Sequence, residues 1–277
     1  ISGCSSPPPL PSTRYDQQTF KTSDPTPLIA SCGGYTGGLT ASCLVLDLDN
    51  QRWDESRMGS LTTPRVSGAV VELKQGVLFL GGYQSAAAET TSDFLATGSL
   101  QWQQGPRLPQ AMTSFCAVPV SPTKFLTING DKIHEFDAAI AGPTSEEGWR
   151  DSTLWPTLET RRGSSPGCGK LGNKVILAGG RGRRGYLQST LVLDITTRTI
   201  STGGDMASPR MWFNLATISR GGGETTFAIA GYSGSEYLNS VEEWEEESST
   251  WKAAGNLDTA RSSFGVVTIP KNIICPT

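Results

Sequence analysis

The feature that most constrains the fold of this chain is an internal repeat with a period of about 50 residues. An apolar segment that ends in one or two glycines occurs five times: LIASCGGY (28–35), VLFLGGY (77–83), FLTING (125–130), VILAGG (175–180) and FAIAGY (227–232). The final glycines are Gly34, Gly82, Gly130, Gly180 and Gly231, with spacings of 48, 48, 50 and 51 residues. A unit of this size cannot bury its own faces, so neighbouring units must complete the core.

Two further markers recur with the same period. A Leu or Met is followed four residues later by Arg, or once by Met, and the marker ends at Arg14, Arg65, Met112, Arg162, Arg210 and Arg261. The third marker is a tryptophan at positions 53, 102, 149 and 251, and the fourth repeat lacks it near Ile200. The apolar runs are bounded by Gly, Pro, Asn and Asp, which is typical of strands and turns. No segment has the sustained period of an amphipathic helix, so we predict an all-β protein.

The order of these markers resembles the kelch repeat, over nearly the whole chain. The resemblance implies an all-β, kelch-type β-propeller that forms a single domain over residues 1–277. We expect six blades, with repeats over residues 10–58, 59–105, 106–154, 155–204 and 205–255 and an incomplete sixth formed by 256–277 together with 1–9. Closure of the ring by both termini would remove exposed sheet edges. Five complete blades plus a terminal hairpin is the alternative.

Each blade should begin with an inner strand that faces the axis of the propeller. The expected inner strands lie near residues 15–21, 66–73, 114–120, 164–171, 212–219 and 264–269. The last is followed by 272–275, which we interpret as a truncated second strand.

Six cysteines are scattered through the chain without a CxxC pair, which disfavours a zinc site and allows disulfides. Cys32 and Cys43 flank a Gly-rich hairpin, whose antiparallel pairing would bring them together. Cys4 and Cys275 are expected to join the termini at the seam of the ring.

Cys116 and Cys168 lie on the expected inner strands of adjacent blades. We expect them to pair across the blade boundary, and the alternative is two buried small hydrophobic residues. Three disulfides would indicate an oxidising compartment, and therefore a secreted or extracellular protein.

Charge and hydropathy exclude several classes of function. The formal net charge is −3, so we expect no nucleic-acid partner. No run of 18 apolar residues occurs, so we expect no membrane span. The first residues are polar and Pro-rich and the chain does not begin with Met, as expected of a processed chain or an excised domain.

The sequence offers little catalytic chemistry. His134 is the single histidine, whereas the copper oxidases that share the kelch fold use two His and two Tyr ligands. The motifs of serine hydrolases, P-loop NTPases, zinc proteases and sialidases are absent. We expect His134 to be a strand residue with a local hydrogen bond, and the acidic run around Trp244 to be a solvated turn rather than a calcium site. We therefore predict no enzyme activity, no cofactor and no metal.

A candidate binding face is built from arginines and tyrosines. The marker connections and the loops between second and third strands should open on the same face of the propeller. The candidate residues are Arg14, Arg65, Arg162, Arg210 and Arg261 around the channel mouth, Arg181, Arg183 and Arg184 further out, and Tyr35, Tyr83, Tyr186 and Tyr232 beside them. Arginine suits anionic groups, but each marker arginine is alternatively a structural part that binds carbonyls or acids of a blade.

These features support three functional hypotheses. The first is a non-enzymatic extracellular module for protein interaction or assembly, with another protein or a second copy as the partner. The second is a lectin-like propeller that binds an acidic glycan or another anion through Arg181, Arg183 and Arg184. The third is an intracellular kelch adaptor for substrates of a ubiquitin ligase.

Overall fold

A computed structural model of the chain describes residues 8–22, 27–84, 87–158 and 162–269. Within these residues, antiparallel sheets are arranged as the five blades of a β-propeller. The prediction of an all-β propeller is therefore confirmed, in the form with five sheet-bearing blades.

The first two blades are four-stranded sheets. The first contains β1 (Gln18–Lys21), β2 (Ile29–Cys32), β3 (Cys43–Asp47) and β4 (Arg52–Asp54). The second contains β5 (Ala69–Leu73), β6 (Gly76–Leu80), β9 (Ser92–Ala96) and β10 (Gln103–Gln104), and carries the small hairpin β7 (Tyr83–Gln84) and β8 (Ala87–Ala88).

The third blade is a three-stranded sheet of β11 (Cys116–Pro119), β12 (Lys124–Asn129) and β13 (Lys132–Asp137). A single bridge from Phe136 to Trp149 stands where a fourth strand would lie. The connection to the next blade contains the short helix α1 (Ala138–Ala141) and two 3₁₀ turns (Glu146–Gly148 and Ser152–Leu154).

The last two blades are again four-stranded. The fourth contains β15 (Gly167–Leu171), β16 (Lys174–Ala178), β19 (Thr190–Asp194) and β20 (Ile200–Gly203), with a small sheet of β14 (Arg162–Ser164), β17 (Arg181–Gly182) and β18 (Gly185–Tyr186) at one end. The fifth contains β21 (Asn214–Arg220), β22 (Gly223–Tyr232), β23 (Tyr237–Glu245) and β24 (Thr250–Asn256).

Six residues with left-handed backbone surround the channel mouth, and backbone hydrogen bonds join five of the six neighbouring pairs. Before each inner segment, one non-glycine residue adopts a left-handed φ of 51–56°; these residues are Asp16, Ser67, Ser114, Ser165, Trp212 and Ser263. The Ser67 N–H donates to the Asp16 carbonyl, and the equivalent bond recurs from Ser114 to Ser67, from Ser165 to Ser114, from Ser263 to Trp212 and from Asp16 to Ser263, with N···O distances of 2.5–3.3 Å. Left-handed backbone costs about 1–2 kcal/mol for such residues, so we infer that these hydrogen bonds offset the strain.

The sixth position of the ring is occupied without a sheet. Residues 263–268 line the central channel beside the five inner strands, and Asn214 donates to the Phe264 carbonyl at 2.7 Å. The expected strand at 264–269 is not formed within the described residues, because the segment has no second strand to pair with there. Residues 1–7 and 270–277, with Cys4 and Cys275, lie outside the described residues, so closure by both termini stays a prediction.

The hydrophobic core lies between the blades rather than within them. Successive apolar clusters fill the interfaces between blades one and two, two and three, three and four, and four and five. The second strand is therefore almost fully buried in each of the first four blades. In β22 burial alternates, because one face packs on the fourth blade while Phe227 and Ile229 face the sixth position and stay half-buried.

The paired glycines are needed because adjacent blades approach closely at the end of each second strand. Gly81 has a φ of +55°, and an added Cβ would lie 2.6 Å from the Met112 carbonyl oxygen of the next blade. Gly82 donates its N–H to the same carbonyl at 2.8 Å. The fifth blade carries Ala230 at the position of Gly81, also with a left-handed φ, where the next ring position holds only an extended segment.

Gly81→Ala should therefore destabilise the protein more than Gly172→Ala. Gly172 has the same φ of +55°, but an added Cβ would meet nothing within 4 Å. We expect Gly172→Ala to cost about 1–2 kcal/mol from backbone strain alone, and Gly81→Ala about 1–3 kcal/mol more, because the blades must separate. Urea unfolding of both variants measures the difference, and equal midpoints would contradict the proposed close approach.

Candidate functional site

Three of the marker arginines are structural parts of their blades. Arg14 donates to the carbonyls of Gly33 and Ser42 at 3.1 and 3.0 Å. Arg65 donates in the same way to Gly81 and Thr91, both at 3.0 Å. Each guanidinium thus joins the end of the second strand to the start of the third.

Arg210 binds the corresponding carbonyls of Ala230 and Ser240 at 2.8 and 2.9 Å. Arg65 and Arg210 are 0% and 1% exposed. Both side chains are therefore too buried to form part of the exposed binding face that the sequence predicts. They fit the alternative interpretation, in which a marker arginine binds carbonyls or acids of a blade.

Arg65 and Arg210 each form a buried ion pair with an acid on the third strand. Arg65 Nη2 lies 3.0 Å from Asp93 Oδ2, and Arg210 Nη2 lies 2.6 Å from Glu242 Oε1. Burial lowers the pKa of Arg65 and Asp93 opposes that shift. Asp93 also accepts from the backbone N–H and the hydroxyl of Thr62. Glu242 belongs to the acidic run that the sequence indicated as a solvated turn, and its burial corrects that interpretation.

The strand position of these acids can be followed through the other blades. Asp93 pairs with Phe79 on the second strand, and Glu242 pairs with Ala228. Phe79 and Ala228 each lie two residues before the first position of the glycine pair, which Gly81 and Ala230 occupy. By the same register the position holds Leu44 in the first blade, His134 in the third and Leu191 in the fourth. The blade that has Met112 instead of the marker arginine therefore has a histidine instead of the acid.

His134 lies in β13 and is buried, which favours the uncharged form of its side chain. It is 7% exposed, and its Nε2 has no hydrogen-bond partner among the described residues. The expected local hydrogen bond is thus missing at Nε2. Burial first, and the nearby Lys132 second, lower the pKa of His134 below 6.5.

This shift predicts a loss of stability on mild acidification. The unfolded chain takes up a proton near pH 6.5, whereas folded His134 resists it, so stability is complete above that pH and is lost as the pH falls toward the lowered folded pKa. In that window the free energy of unfolding should fall by up to about 1.4 kcal/mol per pH unit relative to His134→Gln. Urea unfolding of both proteins between pH 7.5 and 5 gives the comparison, and parallel pH profiles would contradict it.

The exposed aromatic residues gather on one face of the propeller, which we call the loop-bearing face. It contains the loops from second to third strands and the marker connections, which β-bridges join at Tyr15–Tyr35, Val66–Tyr83 and Met211–Tyr232. Of the large hydrophobic side chains that are exposed, all the aromatic ones lie there: Tyr15, Tyr83, Trp212 and Tyr237, at 47%, 40%, 40% and 62% exposure. The aliphatic Leu100 and Ile140 lie toward the opposite face. Leu100 is in the connection from the third to the fourth strand of its blade, and Ile140 is in α1, directly after the third strand β13.

Three of the four candidate tyrosines, Tyr35, Tyr186 and Tyr232, take part in two aromatic groups on this face. Tyr15 and Tyr35 stack with centroids 5.1 Å apart. On the fourth and fifth blades, Tyr232 contacts Tyr186, Trp212 and Tyr237, with centroid distances of 5.7, 6.0 and 5.3 Å. Sequence reasoning missed Tyr15, Trp212 and Tyr237; Tyr15 directly follows Arg14, a position that the marker already placed on this face.

The remaining candidate arginines are on the same face. Arg181 lies in β17, and Arg183 and Arg184 form the turn to β18; all three are exposed. Arg181 lies over the Tyr186 ring, 5.7 Å from its centroid. Arg162 lies in β14 and pairs through its backbone with Gly182, and Arg261 is exposed.

The central channel is a cavity of about 440 Å³ lined by the six inner segments. Its charged residues include Lys21 and Glu72, which form an ion pair of 2.7 Å between adjacent blades. Within the described ranges, no group of three His, Cys, Asp or Glu residues could hold a metal ion.

Two disulfides join cysteines of the described part. Cys32 at the end of β2 is bonded to Cys43 at the start of β3, within one blade. Cys116 in β11 is bonded to Cys168 in β15, so this bond connects the third blade to the fourth. The predicted Cys4–Cys275 bond lies outside the described residues.

The described part of the chain contains one short α-helix and two 3₁₀ turns. In the described ranges, none has the length and apolar character needed to cross a membrane.

Comparison with known proteins agrees with the repeat. No family model matches the chain. The Kelch repeat-containing protein kel-10 of Caenorhabditis elegans is 25% identical over 132 residues, which are 47% of this chain and 23% of that protein. The Kelch repeat and BTB domain-containing protein F47D12.7 of the same organism is 27% identical over 103 residues, 37% of this chain and 18% of the relative. The repeat, the propeller and these two relatives together support the assignment of this chain as a kelch-repeat β-propeller.

Proposed function

We propose that this chain is a non-enzymatic module that binds another protein through its loop-bearing face, as part of a secreted or extracellular protein. The observation that carries the proposal is the gathering of the exposed aromatic side chains on that face. Tyr and Trp are enriched at the energetically dominant positions of protein interfaces, because they bury a large area and still offer a polar group.

The scaffold suits such a role. Hydrogen bonds around the channel mouth and the inter-blade Cys116–Cys168 bond link neighbouring blades and so restrict the movement of their loops. A surface that is rigid before binding loses less conformational entropy on association. Kelch repeats in the two relatives are consistent with an interaction module.

The disulfides support the extracellular setting of the proposal, because such bonds persist mainly in oxidising compartments. Mass spectrometry of the protein from its natural source, unfolded and alkylated without reduction, tests this setting. We expect Cys32, Cys43, Cys116 and Cys168 to be protected from alkylation. Six alkylated cysteines would instead favour the intracellular adaptor.

Site-specific photo-crosslinking tests the binding face. A photoreactive phenylalanine is placed in turn at Tyr15 and Tyr83, and at Leu100 and Ile140 as equally exposed controls toward the opposite face. In the protein's native medium, we expect one discrete adduct from the two tyrosine positions and none from the controls. Equal adducts at all four positions would contradict the proposed face, and a turnover abolished by substitution at the channel mouth would contradict the non-enzymatic role.

A further inference from the structure

We propose that the fourth and fifth blades carry a second binding site, for an anionic glycan. The site is a continuous surface that we call the basic–aromatic patch, consisting of Arg181, Arg183, Arg184, Tyr186, Trp212, Tyr232 and Tyr237. It goes beyond the proposed protein interaction and does not depend on it.

The positive charge of the basic half of the patch has no ion-pair partner within the described ranges. Arg183 and Arg184 are at the tip of an exposed two-stranded hairpin. None of the ion pairs among the described residues involves Arg181, Arg183 or Arg184. The planar guanidinium fork matches the oxygens of sulfate and carboxylate groups, so this hairpin suits a ligand that carries such groups.

The aromatic half begins where the basic half ends. Tyr186 lies under Arg181 and contacts Tyr232, which in turn contacts Trp212 and Tyr237. Trp212 and Tyr237 are 40% and 62% exposed, although both have large aromatic rings. The negative face of an aromatic ring attracts polarised C–H groups, and a sugar ring presents such groups on its flat side.

The combination favours a glycan over an acidic polypeptide. A ligand that is recognised only by its carboxylates would need the arginines but not the aromatic rings. An acidic polysaccharide alternates flat rings with anionic substituents over short distances, and the patch offers both complements side by side. Glu236 lies in the turn next to Tyr237 but forms no ion pair with the hairpin arginines in the described part of the chain.

Binding of a sulfated octasaccharide of the heparin type to the whole chain, measured by calorimetry at low and at physiological salt, tests the proposal. A carboxylated polyuronate, a neutral oligosaccharide and poly-L-glutamate serve as the comparison ligands. We expect the two acidic glycans to bind, the neutral one not to bind, and salt to weaken binding because the charges are exposed.

The variants separate the two halves of the patch. R183Q/R184Q should weaken binding of the octasaccharide by about tenfold or more, since each lost contact is a charge-assisted hydrogen bond. W212A and Y237A should weaken glycan binding severalfold but leave any poly-L-glutamate binding unchanged. K74Q removes one charge from an exposed turn of the opposite face and should bind as the unmodified protein does.

Two results would overturn the proposal. One is the absence of acidic-glycan binding at low salt. The other is poly-L-glutamate binding of equal affinity that is insensitive to W212A and Y237A, which would identify a site for acidic polypeptides. Unfolding midpoints of all variants show whether they are folded. The protein-interaction proposal is tested separately, at Tyr15 and Tyr83, so either proposal can fail without the other.

Discussion

Replacement of Arg65 by methionine is expected to lower the free energy of unfolding by about 3–5 kcal/mol, because it leaves the Asp93 carboxylate buried without its cation. Both side chains are 0% exposed, and the pair is separated by 3.0 Å. Met112 shows that methionine can occupy this position in a blade. Urea unfolding followed by tryptophan fluorescence measures the loss.

Two further variants isolate the buried charge as the cause. Arg65→Met combined with Asp93→Leu should be more stable than Arg65→Met alone, because the double change removes the stranded charge. Arg14→Met should cost less than Arg65→Met, since the first blade has Leu44 where the second has Asp93. If the double variant is the less stable one, the ion pair is not the main reason that Arg65 matters.

Removal of the inter-blade disulfide should have an effect of similar size. The bond from Cys116 to Cys168 spans 52 residues, and the bond from Cys32 to Cys43 spans 11. In the chain-entropy model the longer loop is worth about 4 kcal/mol and the shorter about 3 kcal/mol. We therefore expect Cys116→Ala/Cys168→Ala to lose more stability than Cys32→Ala/Cys43→Ala.

Guanidinium unfolding of the two double variants against the unmodified protein provides the measurement. Both pairs contact apolar clusters, and Cys168 is half-buried while the other three cysteines are buried. The loss of buried sulfur is therefore no greater for the inter-blade pair. If the Cys32→Ala/Cys43→Ala variant lost more stability, loop length in the unfolded chain would not explain the contribution of the inter-blade bond.

Much of the candidate face followed from the sequence, because its residues occupy fixed places in the repeat. Tyr35, Tyr83 and Tyr232 each sit next to a glycine that ends a second strand, and the structure puts all of them on the loop-bearing face. The loop with Arg183 and Arg184 could be placed on this face because it follows Gly180, the last residue of another glycine pair. Such residues are positioned by local strand and turn geometry, which short sequence patterns report.

The side-chain directions of the marker arginines could not be predicted from the sequence pattern. Their spacing predicts a ring near the channel mouth, but it does not tell whether a guanidinium points to solvent or into the blade. The answer for Arg65 and Arg210 depends on acids 28 and 32 residues away, which the register of β9 and β23 brings beside them. Glu242 was misread because an acidic run usually indicates a solvated surface, whereas strand alternation turns this one residue inward.

The sequence by itself determined the period, the strands, the glycine pairs and the presence of a propeller, because each depends on contacts within one repeat or with the next. How the ring closes was decided only by the tertiary structure. Six left-handed residues surround the channel mouth while five blades carry sheets. Ser263 connects the fifth blade to the first, by bonding to Trp212 and Asp16, which are 51 and 247 positions away. Contacts between such distant segments arise only once the intervening blades have set the curvature, so no local pattern encodes them.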